Sequence, residues 1–179
     1  MLKILPHLRP GLSAAYLVML HISPQHVDSF IDYLDTYCAV PVKRAQNDAI
    51  IESGVCYLAS GKEYLSVQKK ENTLRQHLSP APFASRRGAI DMLMFSAAEV
   101  MKNNTMGVIL SGMGNDGGEG LEEIIRVGGS AILQDSASCL YKRMVQNASQ
   151  CCPAAPTIPD GEIAERISRM ISTEYNVVM

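Results

Sequence analysis

Residues 108–121 constrain the fold of this chain more than any other stretch, and they read Val-Ile-Leu-Ser-Gly-Met-Gly-Asn-Asp-Gly-Gly-Glu-Gly-Leu. An apolar run, a glycine-rich turn and the start of an amphipathic segment follow one another here. This order indicates a buried strand, a tight turn and a helix. Because such units build α/β folds around a parallel sheet, the stretch predicts the α/β class.

The same turn matches the dinucleotide-binding pattern. Residues 112–117 fit G-x-G-x-x-G, and the acid Asp135 follows the next apolar run. However, Asp116 lies inside the turn, at the helix N-terminus where a pyrophosphate would bind, and its carboxylate would repel a phosphate. A nucleotide-binding module is therefore the weaker interpretation. A turn that presents a carboxylate is better suited to orienting a histidine.

Two further apolar runs, at residues 14–20 and 130–134, are continuous rather than alternating. Continuous runs are typical of strands that are buried on both faces of a parallel sheet. Segments with apolar residues at helical spacing occur at residues 24–37, 89–102, 118–127 and 162–172. We therefore expect a doubly wound, mostly parallel sheet with helices on both faces.

Residues 40–80 differ from the rest of the chain because they contain several short strand-like runs. Two of these, residues 54–59 and 64–68, flank the turn-forming sequence Gly61-Lys62-Glu63. Two such runs joined by a short turn predict an antiparallel hairpin inserted into the α/β frame. Residues 151–159 contain three prolines and are predicted to form a loop.

Composition excludes several classes of protein. With 179 residues and 47% hydrophobic content, the chain is expected to form a single domain over residues 1–179. A net charge of −2 gives no support for nucleic-acid binding. Without a long apolar run or a signal segment, we expect a cytoplasmic protein that does not insert into membranes. The five irregularly spaced cysteines predict neither a disulfide framework nor a metal site, and we expect no cofactor.

Two polar residues follow the apolar runs at points where catalytic groups are expected. His21 follows the apolar run at residues 14–20, and Asp116 lies in the glycine turn that follows the apolar run ending at Leu110. Since the carboxyl ends of parallel strands meet at one edge of a sheet, these side chains are expected to lie close together. A histidine oriented by a buried aspartate is two-thirds of a nucleophilic triad, and the backbone N–H near Met113 suits an oxyanion hole. The alternative is a structural histidine beside a helix-capping aspartate.

The glycine turn at residues 110–121 and the following residues 131–139 resemble the catalytic domain of CheB-type protein-glutamate methylesterases. The resemblance extends from about Leu5 to Ala148. Further matching segments occur in the family's order at residues 5–6, 18–24, 54–59 and 90–93. By this resemblance His21 is the triad base, Asp116 its orienting acid and Met113 the backbone donor of the oxyanion hole.

The resemblance also implies a reaction and its partners. Enzymes of this family hydrolyse glutamate methyl esters on the cytoplasmic helices of methylated chemoreceptors, in contact with other chemotaxis signalling proteins. Their nucleophile is a serine in a Ser-Thr-Gly-Gly turn that follows the first strand of the sheet. The present sequence contains no such run, and Ser111, Ser23 and Cys139 are weak candidates to replace it.

Two functions are therefore expected. The first is a methylesterase domain that is short at its N-terminus, lacks the first strand, the serine turn and a receiver domain, and loses the covalent route without the serine. The second is a catalytically inactive homologue that binds receptors or signalling partners. In either case, loss of a central strand is expected to leave unpaired strand edges in the sheet.

Overall fold

The computed structural model describes residues 1–60, 63–80, 88–173 and 177–178. Its main feature is a seven-stranded sheet in which every pair of neighbouring strands is parallel. The strands, in spatial order, are β2 (Val42–Arg44), β3 (Cys56–Ser60), β1 (Tyr16–Leu20), β9 (Val177–Val178), β6 (Thr105–Ile109), β7 (Ser130–Gln134) and β8 (Thr157–Ile158).

Helices cover both faces of this sheet. They are α1 (Val27–Tyr37), α2 (Ala89–Met101), α3 (Gly118–Arg126), α4 (Arg143–Cys151) and α5 (Ile163–Thr173). Buried side chains of α2, α3 and α4 form one core with the first face, and those of α1 and α5 form a second core with the other. The predicted doubly wound α/β class is confirmed. None of the described helices is long and apolar enough to cross a membrane.

An antiparallel hairpin is present, but its strands are not the predicted pair. It consists of β4 (Glu63–Lys70) and β5 (Thr73–Pro80), which reverse direction at Glu71 with a φ of 55°. The predicted partner of residues 64–68 was residues 54–59, which instead contain most of β3, a parallel neighbour of β1 and β2. Residues 61–62 of the predicted turn lie outside the described residues.

The predicted pairing of residues 54–59 with residues 64–68 is wrong for a physical reason. Residues 56–59 of β3 are all buried, as expected of a strand covered on both faces, so they belong inside the sheet. The hairpin instead lies against α2, where the Val67 N–H donates to Ser96 Oγ at 2.9 Å.

Two short strands were not expected from the sequence. Within residues 151–159, which were predicted to be a loop, β8 pairs with the end of β7. The C-terminal strand β9 lies between β1 and β6, in the middle of the sheet, and pairs with Tyr16 on one side and with Thr105 and Met106 on the other. Unpaired edges were expected in the middle of the sheet, but β9 pairs with the N-terminal ends of β1 and β6.

Candidate active site

The structure brings His21 and Asp116 together, as the parallel arrangement of their strands predicted. His21 directly follows β1, and Asp116 lies in the glycine turn between β6 and α3. His21 Nε2 lies 3.1 Å from Asp116 Oδ2, with 34% of the histidine side chain exposed and only 6% of the aspartate side chain. A buried carboxylate therefore holds an imidazole that solvent can reach.

Asp116 also binds the beginning of α2. Its Oδ2 accepts the Ile90 N–H at 3.0 Å, and its Oδ1 accepts the Asp91 N–H at 3.1 Å. The N-cap residue of α2 is Gly88, which has no side chain to satisfy these N–H groups. Asp116 thus caps α2 from a distant part of the sequence, in the way that a local Asp or Ser would.

These hydrogen bonds decide the charge on Asp116. Burial favours the protonated carboxyl, but the hydrogen bonds from His21 and from the two backbone N–H groups of α2 outweigh it and hold the pKa of Asp116 below its usual range. The carboxylate is therefore ionised at neutral pH. In the tautomer that has its proton on Nε2, His21 donates this hydrogen bond to the carboxylate and keeps the lone pair on Nδ1 for proton transfer.

The glycine turn places Met113 at the mouth of the site, with 67% of that residue exposed. The N–H of the preceding Gly112 donates to Tyr141 O at 3.0 Å, so that donor is already used. The N–H of Met113 is the next along the turn. Its participation in an oxyanion hole stays a prediction.

Asp91 is a second carboxyl group at the site, and sequence reasoning missed it. Its Oδ1 accepts the Gly120 N–H at 2.7 Å, which ties α2 to α3. Burial, together with the neighbouring charge of Asp116, raises the pKa of Asp91 to about 6 against the opposing hydrogen bonds from the N–H groups of Gly120 and Gly117. In the sequence Asp91 is only an acid in the first turn of a helix, which is a common place for one.

We expect Asp91→Asn to stabilise the protein in a pH-dependent way. Because folding raises the pKa of Asp91 from 3.8 to about 6, its ionisation weakens the fold progressively between those values and fully above them. Asparagine carries no charge, and its Oδ1 can still accept the Gly120 N–H. The variant should gain about 1–2 kcal/mol over wild type as the pH rises through this window, after allowance for solvent screening of a half-exposed group. Urea unfolding at pH 4, 5, 6 and 7 measures the gain. A difference that does not change with pH would contradict the prediction.

Two of the three candidate replacement nucleophiles, Ser111 and Cys139, make hydrogen bonds elsewhere. Ser111 Oγ accepts the Tyr141 N–H at 2.9 Å and donates to Tyr141 O at 3.2 Å, so it holds a turn. Cys139 Sγ donates to Asp135 O at 3.4 Å, and burial with the nearby Asp135 charge raises the pKa of its thiol, which disfavours the reactive thiolate. Across the described part of the chain, no serine or cysteine side chain hydrogen-bonds to His21.

A mostly apolar cavity of about 390 Å³ opens beside His21. It lies between β1 and β6 and reaches the glycine turn at Gly112, Met113 and Gly114. No group of three or more His, Cys, Asp or Glu side chains in the described ranges is arranged to hold a metal ion. The site thus combines a histidine, the buried carboxylate that contacts it and a glycine turn at the mouth of an apolar cavity.

Comparison with known proteins identifies the family that this chain resembles. The chain matches the family model described as CheB methylesterase over residues 1–167. It is 31% identical over 165 residues to a protein-glutamate methylesterase/protein-glutamine glutaminase of Yersinia pestis, covering 92% of this chain and 47% of that protein. The corresponding Pyrococcus abyssi protein is 31% identical over 172 residues, covering 96% of this chain and 47% of that protein.

Among solved structures, the Thermotoga maritima CheB methylesterase catalytic domain is similar, with a TM-score of 0.88 and 26% sequence identity. The match covers 94% of this chain and 89% of the Thermotoga chain. In contrast, the present chain spans about half the length of the curated relatives that it matches.

Proposed function

Because the chain belongs to the CheB methylesterase family, we propose that it hydrolyses glutamate methyl esters on the cytoplasmic helices of chemoreceptors, in the cytoplasm. The observation that carries this proposal is the 3.1 Å contact between His21 Nε2 and the buried Asp116 carboxylate at the mouth of an apolar cavity. Hydrolysis releases methanol and restores the negative charge of the glutamate side chain.

The proposed mechanism follows the general logic of a Ser-His-Asp triad. Nδ1 of His21 accepts the proton of a serine hydroxyl as the hydroxyl oxygen attacks the ester carbonyl. The imidazolium that forms is stabilised by Asp116, and the oxyanion accepts the Met113 N–H. Collapse of the tetrahedral intermediate transfers the proton from Nδ1 to the departing methanol. Water then hydrolyses the acyl-serine, with His21 again acting as the base.

The proposal requires a serine that the described residues do not place beside His21. That serine is supplied either by polypeptide beyond the described residues or by another chain. In both cases the proposed roles of His21 and Asp116 are the same, and their 3.1 Å contact supports them.

We expect methanol release from a methylated receptor cytoplasmic fragment to fall to the background rate in His21→Ala. The reason is that His21 is the proposed base that accepts the proton from the nucleophile. Methanol release is measured enzymatically, and binding of the fragment is measured in parallel by calorimetry. Equal rates in wild type and His21→Ala would refute the role of His21. His77→Ala, which changes a histidine of the distant hairpin, is the matched control and should not change the rate.

A second function is favoured by two observations. The described serines and cysteines make no hydrogen bond to His21, and two large side chains that line the cavity are exposed, Met113 at 67% and Tyr141 at 48%. An exposed apolar rim is typical of a protein-binding surface. The alternative is thus an inactive homologue that binds receptors or signalling partners. Fragment binding without methanol release supports it, and absence of both would contradict both functions.

A further inference from the structure

The segment that leads into α4 is fixed to the glycine turn by backbone hydrogen bonds. The Gly112 N–H donates to Tyr141 O at 3.0 Å, and the Met144 N–H donates to Gly112 O at 3.1 Å. Between these two attachment points lie Lys142 and Arg143. Both residues are therefore held beside the turn that follows β6, rather than carried on a separate loop.

The side chains around this attachment are large and exposed. Leu140 is 81% exposed, Tyr141 48% and Met113, on the glycine turn, 67%. Met113 and Tyr141 also line the cavity beside His21. We call Met113 and residues 140–143 the basic rim. A cluster of exposed apolar side chains is typical of a surface that a partner covers.

The basic rim contains two cations that no acidic side chain neutralises. Lys142 and Arg143 are exposed and make no ion pair with any residue in the described ranges. Asp135, the nearest acid along the chain, accepts a backbone N–H of its own turn at 2.9 Å. The first turn of α4 contains no acid. Two adjacent cations raise the local positive potential, which attracts an anionic partner.

The backbone of the basic rim is already occupied by hydrogen bonds. The Tyr141 N–H donates to Ser111 Oγ at 2.9 Å, and its carbonyl accepts the Gly112 N–H. A peptide cannot add to this segment as a strand, because strand addition uses free N–H and C=O groups along an edge. Recognition must use side chains. An amphipathic helix supplies a row of apolar side chains with charged residues beside it.

We propose that the basic rim binds an amphipathic helix of a partner protein, whose apolar row contacts Met113, Leu140 and Tyr141 and whose carboxylates pair with Lys142 and Arg143. The proposal rests on the proposed function and deepens it, because acidic side chains near the target glutamate then select the segments that reach the site. Exposed ion pairs contribute little each, so the two cations supply selectivity and the apolar side chains supply contact area.

The binding experiment uses the whole chain and a fluorescein-labelled peptide, Ala-Glu-Leu-Glu-Ala-Leu-Leu-Glu-Ala-Leu-Glu-Ala-Leu-Leu-Glu-Ala-Leu. We expect saturable binding by fluorescence anisotropy. The double variant Lys142→Glu/Arg143→Glu should bind on the order of tenfold more weakly, because each attraction becomes a repulsion. A peptide with lysine in place of every glutamate should show the opposite order and bind the variant more tightly than the wild type.

The matched control reverses two exposed cations elsewhere. Lys69→Glu/Arg166→Glu changes the net charge by the same amount, on the hairpin and on α5, and neither side chain makes an ion pair with a described residue. It should bind the acidic peptide as the wild type does. A loss equal to that of the Lys142→Glu/Arg143→Glu variant would show that only net charge matters, which would overturn the proposal.

The apolar contact and the helical form have their own tests. Leu140→Ser should weaken binding of the acidic peptide by at least about threefold and leave the midpoint of thermal unfolding unchanged, because this side chain lies at the surface. The acidic peptide with prolines in place of its two central alanines keeps every leucine and glutamate but cannot form a continuous helix. It should bind at least about tenfold more weakly. Equal binding of the proline peptide would overturn a helical partner.

Three further results would overturn the proposal. They are equal affinity of the wild type and the Lys142→Glu/Arg143→Glu variant for the acidic peptide, equal affinity of the wild type for the acidic and lysine peptides, and the absence of saturable binding. Methanol release from the methylated receptor fragment is measured separately. Charge-selective binding without methanol release supports the basic rim and counts against the proposed hydrolysis. Methanol release without charge-selective binding overturns the basic rim and leaves the hydrolysis standing.

Discussion

Replacing Asp116 with alanine is expected to lower the free energy of unfolding by about 2–5 kcal/mol. The carboxylate accepts the N–H groups of Ile90 and Asp91 at 3.0 and 3.1 Å, and it is almost fully buried. Each buried N–H left without an acceptor costs about 1–3 kcal/mol. Relief of the burial of a charge offsets part of this loss but does not exceed it, since the hydrogen bonds already hold the pKa of Asp116 below its usual range.

Urea denaturation of three variants tests this expectation. Asp116→Asn keeps one acceptor oxygen and should lose roughly half as much stability as Asp116→Ala. Asp135→Ala is the matched control, because the Asp135 carboxylate also accepts a backbone N–H, from Ala137 at 2.9 Å, but does so at the surface. It should lose only about 0.5–1 kcal/mol. Similar losses for the alanine variants at positions 116 and 135 would show that Asp116 does not cap α2.

Replacing Gly120 with alanine is expected to destabilise the protein by about 2–3 kcal/mol, although alanine is the better helix former. A Cβ built at this position lies 2.6 Å from Met94 Cβ and 3.0 Å from Asp91 Cα. The gain in helix propensity is about 1 kcal/mol. Because one of the clashing atoms belongs to the backbone of α2, neither helix can relieve the overlap by a change of rotamer, and the helices must move apart.

The consequence reaches the site, because the Gly120 N–H donates to Asp91 Oδ1 across the same helix contact. Thermal unfolding measures the loss of stability, and the NMR signals of His21 report any displacement of the turn. Gly114→Ala, in the glycine turn that precedes α3, is the control, since its added Cβ would have no heavy-atom neighbour nearer than 3.8 Å. A Gly120→Ala variant as stable as Gly114→Ala would contradict the close packing of α2 and α3.

Much of this fold could be predicted because its central strands are short, continuous apolar runs. The runs that contain β1, β6 and β7 end at polar residues, and the parallel arrangement brings those ends to one edge of the sheet. This was enough to predict that His21 and Asp116 lie together. The prediction needed no knowledge of loops, because both residues immediately follow or lie close to the ends of strands.

Other features depend on contacts that no local pattern records. β8 and β9 have two residues each, which is too short for any periodicity. The hairpin partner of β4 was predicted wrongly because the turn at Glu71 contains no glycine and resembles an ordinary polar segment. The link between Asp116 and α2 spans 25 or 26 residues of sequence, so only the folded chain shows that this aspartate is also a helix cap.

The helix-capping role and the proposed catalytic role of Asp116 imply two kinds of evolutionary constraint. Selection for folding alone would preserve this aspartate, since α2 depends on it whether or not a reaction occurs. Selection for the proposed reaction would act more specifically on His21, whose contact with Asp116 is a single hydrogen bond at a partly exposed position. Among relatives of this domain, the residue aligned with His21 should therefore distinguish active from inactive proteins better than the residue aligned with Asp116.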